Sequence, residues 1–471
     1  MAKSPVYSEK LLLAAVAVAI FMDGMDGSVV NVAMPAIASA FGTDTSSVSW
    51  VIVLYFMTLA GLILVFGRIA DRGALKKVFV YGFGIFTVAS LLCGISYSLP
   101  MLFASRILQG TGGAMIAASA PMLCVKYVSP KKLGFALSTL TLGSSVGYAV
   151  GPVLGGILTE FLSWHWIFLI NIPIGILAVP FAVKAIPKDG PTEKRPLDLM
   201  GSAFMFAAIA SGILSLERLS DPDALKTVIV SAVLCVIFLI LFILRELSFD
   251  KPVIDVRIFK SGKFSSSLLS FTLFNLSYMG PFYLIPFYMA LCLEFSYAAI
   301  GVYLFVSSLM TAIICLPAGR YSDRYGRRRI SVLGISILLV STILLLFANA
   351  ENGSLILVPV VIMMGTSWGL CGGPMAARIV EHSPSGHEKM GSSLSSLAIY
   401  LGMGIGTAVF AAFFSIFTGV PGTGFDLLTA GEFSSGFRAA IILAALLSAV
   451  TVVIAAAVPD SEKSGKQLEI D

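Results

Sequence analysis

Three charged side chains lie within long apolar stretches of the sequence, where a charge is costly. Asp23 and Asp26 fall in the first stretch and Arg106 in the fourth. An aspartate at the centre of a bilayer costs roughly 2.5–3.5 kcal/mol on insertion scales. The i,i+3 spacing of the two aspartates puts them about 60° apart around a helix, so both can face one cavity. Carboxylates in such a place can take up and release protons, although each can also serve only to cap or pair with a neighbour.

Arg106 carries a guanidinium that stays charged in any protein environment, so it needs an anionic partner or a dense set of acceptors. We expect it to tune the proton affinity of a nearby aspartate as the surrounding helices move apart and together. Gln109, one turn further on, would extend the polar network. A purely structural hydrogen-bonding role for Arg106 is the alternative. The chemistry indicated by these residues is reversible protonation.

The composition places these residues in a membrane protein. The chain has 471 residues, of which 57% are hydrophobic and 12% charged, whereas soluble domains carry about 25% charged residues. The net charge of +5 lies in short loops and is no signal for nucleic acid. The six cysteines are scattered, and the sequence contains no CxxC pair, zinc constellation, catalytic triad or Walker A motif. We therefore expect no enzyme, no cofactor and no bound metal.

The sequence predicts fourteen membrane-spanning helices of about 20 residues each. They begin near Leu11, Ser46, Lys77, Met101, Lys132, Trp166, Leu197, Ala224, Phe264, Ala298, Ile330, Leu355, Met390 and Gly436. With both termini in the cytoplasm, all but four of the 31 lysines and arginines lie in or beside cytoplasmic segments. The exceptions are Arg106, Arg218, Lys226 and Arg438. Because basic residues favour the cytoplasmic side, both termini are predicted to be cytoplasmic.

One charged loop occurs twice in the sequence. The first copy, at residues 67–77, reads GRIADRGALKK, and the second, 252 residues later, reads GRYSDRYGRRR. Each copy lies between two apolar stretches, which indicates two homologous membrane halves, the architecture of a secondary transporter. The copies follow the second and tenth stretches, so two extra spans lie between two six-helix halves. The predicted division is residues 1–190, an insertion at 191–260, and residues 261–471.

The loop resembles the signature that follows the second span in the major facilitator superfamily. The second copy fits throughout, whereas the first has Ala74 and Leu75 where glycine and arginine are usual. Three further stretches resemble motifs of the fourteen-span drug:proton antiporters. They are residues 25–35 (MDGSVVNVAMP), 147–156 (GYAVGPVLGG) and 164–175 (WHWIFLINIPIG). The resemblance implies an all-α major facilitator fold of two six-helix bundles plus two inserted helices, and exchange of substrate for protons.

The fifth-span motif supplies a stripe of small residues. Its members are Gly147, Gly151, Pro152, Gly155 and Gly156. Glycines at four-residue spacing let a neighbouring helix approach closely, and a proline removes one backbone hydrogen bond and bends the helix. Packing alone would account for the stripe, and its link to antiport comes only from the resemblance.

The duplicated loops are candidates for a conformational latch. The residues concerned are Gly67, Asp71, Arg72, Gly319, Asp323, Arg324, Gly326 and Arg327. Asp71 and Asp323 can accept hydrogen bonds from the N-terminus of an adjacent helix and pair with Arg72 or Arg324. Such contacts would form only when the cytoplasmic side is closed. The alternative is that the basic residues only set the topology.

Polar and aromatic residues within the spans are candidates for the wall of a substrate cavity. They are Asn31, Tyr55, Gln109, Asn275, Tyr278, Tyr283, Tyr288, Trp368 and Tyr400. Aromatic residues at helical spacing are more often packing, but an apolar aromatic cavity with a few acids suits amphipathic organic cations or neutral drugs. Many fourteen-span relatives carry an acid in the thirteenth span, and residues 392–414 contain none. Asp26 is therefore the predicted main protonation site, assisted by Asp23 and tuned by Arg106.

The leading functional hypothesis is a proton-driven exporter of hydrophobic or cationic drug-like compounds that works by alternating access. An exporter of one endogenous metabolite or lipid is the second hypothesis, and a receptor or channel on the same scaffold is the third. The expected partners are protons, a small amphipathic substrate and the lipid bilayer, without nucleic acid. The chain is expected to act as a monomer in the cell membrane.

Overall fold

The computed structural model describes residues 8–43, 45–190, 198–219, 224–249, 254–349, 351–419 and 428–460. Within these ranges the chain is helical and contains no strand. The helices are α1 (Glu9–Phe41), α2 (Thr45–Ile69), α3 (Leu75–Gly94), α4 (Leu99–Tyr127), α5 (Leu133–Phe161), α6 (Trp166–Leu169), α7 (Asn171–Ala185), α8 (Leu199–Glu217), α9 (Leu225–Ser248), α10 (Gly262–Leu291), α11 (Tyr297–Tyr325), α12 (Arg327–Leu345), α13 (Gly353–His382), α14 (Glu388–Thr418) and α15 (Ala430–Ala457).

Thirteen segments of the described residues are long and apolar enough to cross a membrane. The longest of them, Val48–Gly94, has 47 residues and covers most of α2 and all of α3. A straight helix of that length would measure about 70 Å, more than twice the roughly 30 Å of a bilayer core. The two helices are separated by a π-helical turn, Ala70–Ala74, in which Gly73 has a φ of 101°. The protein is thus a multi-pass membrane protein.

The helices form two halves with the same packing pattern. In the first half α1 packs on α5, α2 on α4, and α3 on α4 and α7. In the second half α10 packs on α14, α11 on α13, and α12 on α13 and α15. Helix α5 also packs along α11 and α13, while α14 packs along α2 and α4. These two helices therefore form the core of the contact between the halves.

Helix α5 approaches α1 closely along its glycine stripe. A Cβ atom at Gly151 would lie 3.0 Å from the carbonyl oxygen of Met25, and one at Gly155 would lie 2.9 Å from that of Val29. Gly147 also faces the α1 backbone, whereas Gly156 faces open space. Pro152 lies within the continuous helix. Side chains at the facing positions would push α1 away from the cavity, so the stripe fixes where the acids of α1 lie.

The inserted helices α8 and α9 lie at the edge of the bundle. They pack on each other, and α8 rests on α2, where the ring of Phe206 covers Gly61. Asp198 caps α8 by accepting from the amide of Gly201 at 2.9 Å, and it pairs with Arg245 of α9 at 3.1 Å. Most of α9 is exposed, which suits a helix that faces lipid.

Both described ends of the chain lie at the end of the bundle that carries the duplicated loops. Glu9, at the start of α1, lies 3.7 Å from Lys132 beside the start of α5. Asp460, after α15, accepts from the backbone amide of Arg328 at 2.8 Å. This end is called the loop end below.

Candidate functional site

Asp26 lies at the centre of a closed polar network within the first half. Its side chain is fully buried. It accepts hydrogen bonds from Arg106 Nη1 at 2.6 Å and Gln109 Nε2 at 2.7 Å on α4, and from Asn171 Nδ2 at 3.2 Å on α7. Three helices are therefore joined at one carboxylate.

Arg106 finds its hydrogen-bond partners within the same half, although its buried Nη2 has none among the described residues. Its Nε donates to the carbonyl oxygen of Val51 at 2.8 Å, and its Nη1 also donates to Gln109 Oε1 at 2.6 Å. The guanidinium carbon lies 4.3 Å from the centroid of the Tyr55 ring. Removing one partner of such a buried pair costs roughly 3–5 kcal/mol, because it leaves an uncompensated charge. The pair therefore supports the fold of this half as well as any role in transport.

Asp23, almost one turn before Asp26 on α1, has a different environment. It accepts hydrogen bonds from the hydroxyl of Tyr55 on α2 and, at 2.8 Å, from the hydroxyl of Tyr400 on α14. It is 7% exposed and lies on the wall of the central cavity. Among the described residues that line this cavity, Asp23 is the one carboxylate. A molecule in the cavity can reach Asp23 directly, whereas Asp26 lies behind it.

The central cavity lies between the halves and has a volume of about 150 Å³. Helices α1, α4 and α5 line it on one side, and α10, α11, α13 and α14 on the other. The second half supplies an aromatic wall, in which the ring of Trp368 lies 4.9 Å from Tyr278 and 5.5 Å from Phe274. Hydroxyl groups are spread over both sides. They belong to Thr141, Ser144, Ser145, Tyr148, Ser308, Thr311, Ser395, Ser396 and Tyr400.

Of the residues predicted for the cavity wall, Tyr278, Trp368 and Tyr400 line the cavity. Tyr55 and Gln109 lie behind the wall, in the network of the two aspartates.

Four other residues predicted for the wall lie away from this cavity. Asn31 is exposed and donates to the carbonyl oxygen of Gly27 at 3.4 Å. Asn275 is buried under Gly402 of α14. Tyr283 packs on Phe287 and Tyr288 stacks on Phe437. On α10 the cavity face carries Tyr278 and Phe282, one turn apart, and Tyr283 and Tyr288 point to other faces of that helix. Asn275 lies on the same face about one turn earlier, where α14 covers it, and its amide donates to the carbonyl oxygen of Phe271.

Sequence reasoning missed two groups of polar residues at this site. Asn171 at the start of α7 and Ser90 on α3 complete the network around Asp26 and Gln109. Tyr148 and the serine and threonine residues that line the cavity were also missed. Asn171 and Tyr148 each lie within a stretch that resembles an antiporter motif, and this was a usable signal. Serine and threonine gave none, because in helices they commonly bond to their own backbone, as Ser144 does to Thr141.

The second copy of the duplicated loop joins the two halves through a helix N-terminus. Asp323 accepts from the backbone amides of Gly134 at 2.8 Å and Phe135 at 3.0 Å, at the start of α5. Its ionic partner is Arg327 at 3.1 Å, which also binds Glu381 at 2.9 Å. The expected pairing with Arg324 is not what the structure shows.

The turn at Gly326, with a φ of 99°, explains this difference. It brings Arg327, the first residue of α12, back over the end of α11, while the guanidinium of Arg324 lies 5.3 Å from the ring of Tyr325. Gly319, one turn before Asp323, packs against α5, where a Cβ atom would lie 2.7 Å from the carbonyl oxygen of Gly134.

The first copy reaches the opposite half through a side chain. Asp71 pairs with Lys389 at the start of α14 at 3.1 Å, and with Arg68 of its own loop at 3.6 Å. Gly67 packs under Ser393 of α14. Arg72 lies in the π-helical turn.

The halves are also bonded between the loops and the cavity. Ser393 donates to the carbonyl oxygen of Ala118 at 3.3 Å, and Ser396 donates to that of Ala117 at 3.0 Å. Ala117 and Ser396 both line the cavity, so this second bond forms part of its floor. The loop end is therefore closed in this structure.

Two homologous helical halves around a shared cavity, with a charged pair buried beside it, define a membrane transporter rather than an enzyme. The chain belongs to the Major Facilitator Superfamily, whose family model matches residues 16–407.

Bacterial transporters are among its relatives. The riboflavin transporter RibZ of Clostridioides difficile is 29% identical over 86% of this chain and 88% of its own length. The putative multidrug resistance protein MdtD of Escherichia coli is 29% identical over 94% of both chains. The multidrug resistance protein B homolog of Mycobacterium tuberculosis is 28% identical over 82% of this chain and 73% of its own. The two multidrug resistance names agree with the resemblance to the drug:proton antiporters, and the riboflavin transporter has a different named substrate.

A solved structure shows the same fold. The human organic anion transporter MFSD10 (TETRAN) superposes with a TM-score of 0.66 over 96% of this chain and 100% of its own, at 14% sequence identity. At that identity the likeness supports the fold and carries nothing about the substrate.

Proposed function

We propose that the protein exports amphipathic, aromatic compounds, cationic ones included, in exchange for protons. The observation that carries this proposal is the position of Asp23. It places one carboxylate on the wall of a cavity that is otherwise lined by aliphatic, aromatic and hydroxyl-bearing side chains. Such a group can bind either a proton or the positively charged or hydrogen-bond-donating part of a substrate, and the two compete.

The coupling unit in this proposal is Asp23, Asp26 and Arg106. The sequence predicted Asp26 as the main protonation site, assisted by Asp23. That assignment stays a prediction, and our proposal exchanges the two roles. Because Asp26 is fully enclosed by three donors while Asp23 faces the cavity, we assign the exchange of protons to Asp23. Asp26 then holds Arg106, whose guanidinium covers the Tyr55 ring and so supports the hydroxyl that bonds to Asp23.

The proposed topology has fourteen crossings. Val48–Gly94 crosses twice, with the turn at Gly73 between α2 and α3. Residues 1–190 and 261–471 then form the two bundles, and residues 191–260 the peripheral insertion. The basic loops lie in the cytoplasm together with both ends of the chain. On this assignment the closed loop end is cytoplasmic, so the structure is a form in which the cavity is closed to the cytoplasm. A single chain supplies both walls of the cavity, which fits a monomer in the cell membrane.

The proposed cycle is a competition at one carboxylate. Substrate that enters from the cytoplasm binds the ionised form of Asp23, and the loaded carrier turns outward. A proton from outside then displaces the substrate, and the protonated carrier turns inward. The carrier thereby exchanges one ligand for the other.

A riboflavin-like metabolite is the second candidate substrate. One relative is named a riboflavin transporter. Riboflavin joins a flat heteroaromatic ring to a polyhydroxylated chain. The aromatic wall around Trp368 offers a surface for such a ring. The many hydroxyl groups of the cavity offer partners for such a chain.

Ethidium and riboflavin distinguish the two candidates. Cells that express the protein are loaded with each compound, and its loss is followed with and without a protonophore. We expect proton-dependent loss of at least one compound, and we expect Asp23→Asn to abolish it. Glu160→Gln, which alters an exposed acid at the end of α5, is the matched control. An export rate that is unchanged both by the protonophore and by Asp23→Asn would overturn the proposal.

A further inference from the structure

Tyr400 makes a hydrogen bond that crosses from one half of the transporter to the other. Its hydroxyl, on α14, donates to Asp23 Oδ2 on α1 at 2.8 Å, although the two residues are 377 positions apart in the chain. Tyr55 donates to the other oxygen of the same carboxylate from α2. Because α1 and α2 belong to one half, Tyr55 moves together with Asp23. The bond from Tyr400 is made only while the halves keep this arrangement.

The charge on Asp23 sets the strength of this bond. A hydroxyl that donates to an ionised carboxylate makes a bond about twice as strong as one to a neutral acceptor. Five titratable or charged groups lie around or near Asp23. They are Tyr55 on α2, Tyr148 on α5, Tyr400 on α14, Asp26 on α1 and Arg106 on α4. Asp26 and Arg106 neutralise each other. The protonation of Asp23 therefore depends mainly on the two bonded hydroxyls and on the molecules in the cavity.

The location of the bond links it to closure of the loop end. Tyr400 lies on α14 one turn beyond Ser396, which bonds to the floor of the cavity, and Ser393 bonds nearer the loops. A continuous helical face thus carries three contacts from α14 to the first half. Loss of the contact at Tyr400 would weaken the same helix packing that closes the loop end.

We propose that the Tyr400 hydroxyl ties the halves together in the empty, ionised carrier and so prevents its return to the cytoplasmic side. This proposal rests on the proton-coupled export proposed above. A proton on Asp23, or a substrate group bound to it, takes the place of the Tyr400 bond and releases the tie. Without the tie, a carrier that has delivered its substrate turns back without a proton. Substrate then leaks down its own gradient, and the proton gradient no longer concentrates it.

The first test uses the protein without substrate. Hydrogen–deuterium exchange is measured in nanodiscs for the peptide that contains Gly134 and Phe135, whose amides are bonded only when the loop end is closed. At alkaline pH we expect exchange in Tyr400→Phe to be at least about tenfold faster than in the wild type, the size expected for one hydrogen bond to a charged group. At acidic pH, where Asp23 is protonated, the difference in exchange rate between Tyr400→Phe and the wild type should become smaller. Tyr55→Phe removes a hydrogen bond from the same carboxylate within one half and is the matched control, expected to stay near the wild type.

The second test follows downhill flux of ethidium and of riboflavin in proteoliposomes. In the wild type this flux should rise as the external pH falls, because the return step needs a proton. In Tyr400→Phe it should be faster and independent of external pH, while proton-driven accumulation falls. If neither compound is moved by a proton gradient but the exchange difference persists, the export proposal fails and the tie stands. If transport is proton-driven and Tyr400→Phe matches the wild type in exchange and in pH dependence, the tie is overturned.

Discussion

The two copies of the duplicated loop hold the opposite half by different kinds of contact. Asp323 takes two backbone amides at the start of α5, and its side chain is 7% exposed. Asp71 takes the side chain of Lys389 at the start of α14, and the two side chains are 25% and 34% exposed. Gly134 and Lys389 each occupy the second position of their helix. One contact is enclosed and made with the backbone, and the other is open to solvent.

The size of the residue at that second position accounts for the difference. A Cβ atom at Gly134 would lie 2.7 Å from Asp323 Oδ1 and 3.0 Å from the carbonyl oxygen of Gly319. Only glycine lets the loop close directly onto the helix. At Lys389 the side chain occupies this place and reaches out to Asp71. Two copies of one motif therefore make an enclosed contact and an exposed contact with the opposite half.

The partners on the loop side differ in the same way. Arg327 neutralises Asp323 and also binds Glu381. The corresponding position of the first copy is Leu75, which is 1% exposed and carries no charge. Asp71 must therefore find its main cation across the interface. The second copy thus supplies its own close cation for Asp323, whereas the closest cation of Asp71 is Lys389 of the opposite half.

The largest effect is expected from Asp323→Asn. The substitution removes the charge that the amides of Gly134 and Phe135 and the guanidinium of Arg327 share. Hydrogen bonds to a charged group contribute roughly 1.5–3 kcal/mol each, so we expect the balance between closed and open loop ends to shift by about ten- to a hundredfold toward open. Fluorophores attached by bioorthogonal chemistry at the exposed positions Lys131 and Arg329 would report this as a longer distance between the halves. An unchanged distance distribution in well-folded protein would mean that Asp323 does not close this end.

A somewhat smaller shift in the same direction is expected from Gly134→Ala. The added methyl group meets the Asp323 carboxylate and the Gly319 backbone but leaves every charge in place. Overpacking typically costs about 1–3 kcal/mol, and movement of the Asp323 side chain should keep the cost at the low end, so we expect roughly a five- to tenfold change in the balance. Gly404→Ala on α14 is the control, because a Cβ atom there meets nothing within 4 Å. Equal behaviour of the two alanine variants would contradict the role assigned to Gly134.

Local signals in the sequence predicted much of this architecture. Apolar length and the repeated loop predicted a two-half membrane protein, and the motifs predicted the Major Facilitator Superfamily, which is confirmed. The sequence could not predict the partners of the two loop aspartates, Asp71 and Asp323. Lys389 lies 318 positions from Asp71, and the pairing of Asp323 with Arg327 depends on a turn at Gly326 that puts two helix ends side by side.

At the cavity, too, local sequence signals predicted some features, while others depend on residues that are distant in the chain. The spacing of Asp23 and Asp26 predicted that both can face one cavity, but in the structure Asp23 lines the cavity and Asp26 faces the buried Arg106. That choice is made by α4 and α7, which cover one side of α1 with Arg106 and Asn171. Tyr400 comes from a helix of the opposite half. Periodicity reports which residues share a face and leaves open what covers that face.

The smallest effect is expected from Lys389→Ala, and this effect should depend on the salt concentration. An exposed ion pair contributes about 0–1 kcal/mol, so the balance should shift at most about fivefold toward the open loop end. At roughly 1 M salt, where the Debye length is about 3 Å, wild type and Lys389→Ala should become alike. The effect of Asp323→Asn should persist under the same conditions, because that carboxylate is enclosed and bonded to backbone amides. The same fluorophore distances, measured across a salt series, test both statements. A Lys389→Ala effect as large and as resistant to salt as that of Asp323→Asn would show that the two contacts are equivalent, and that the enclosed backbone contact gives the second copy no advantage.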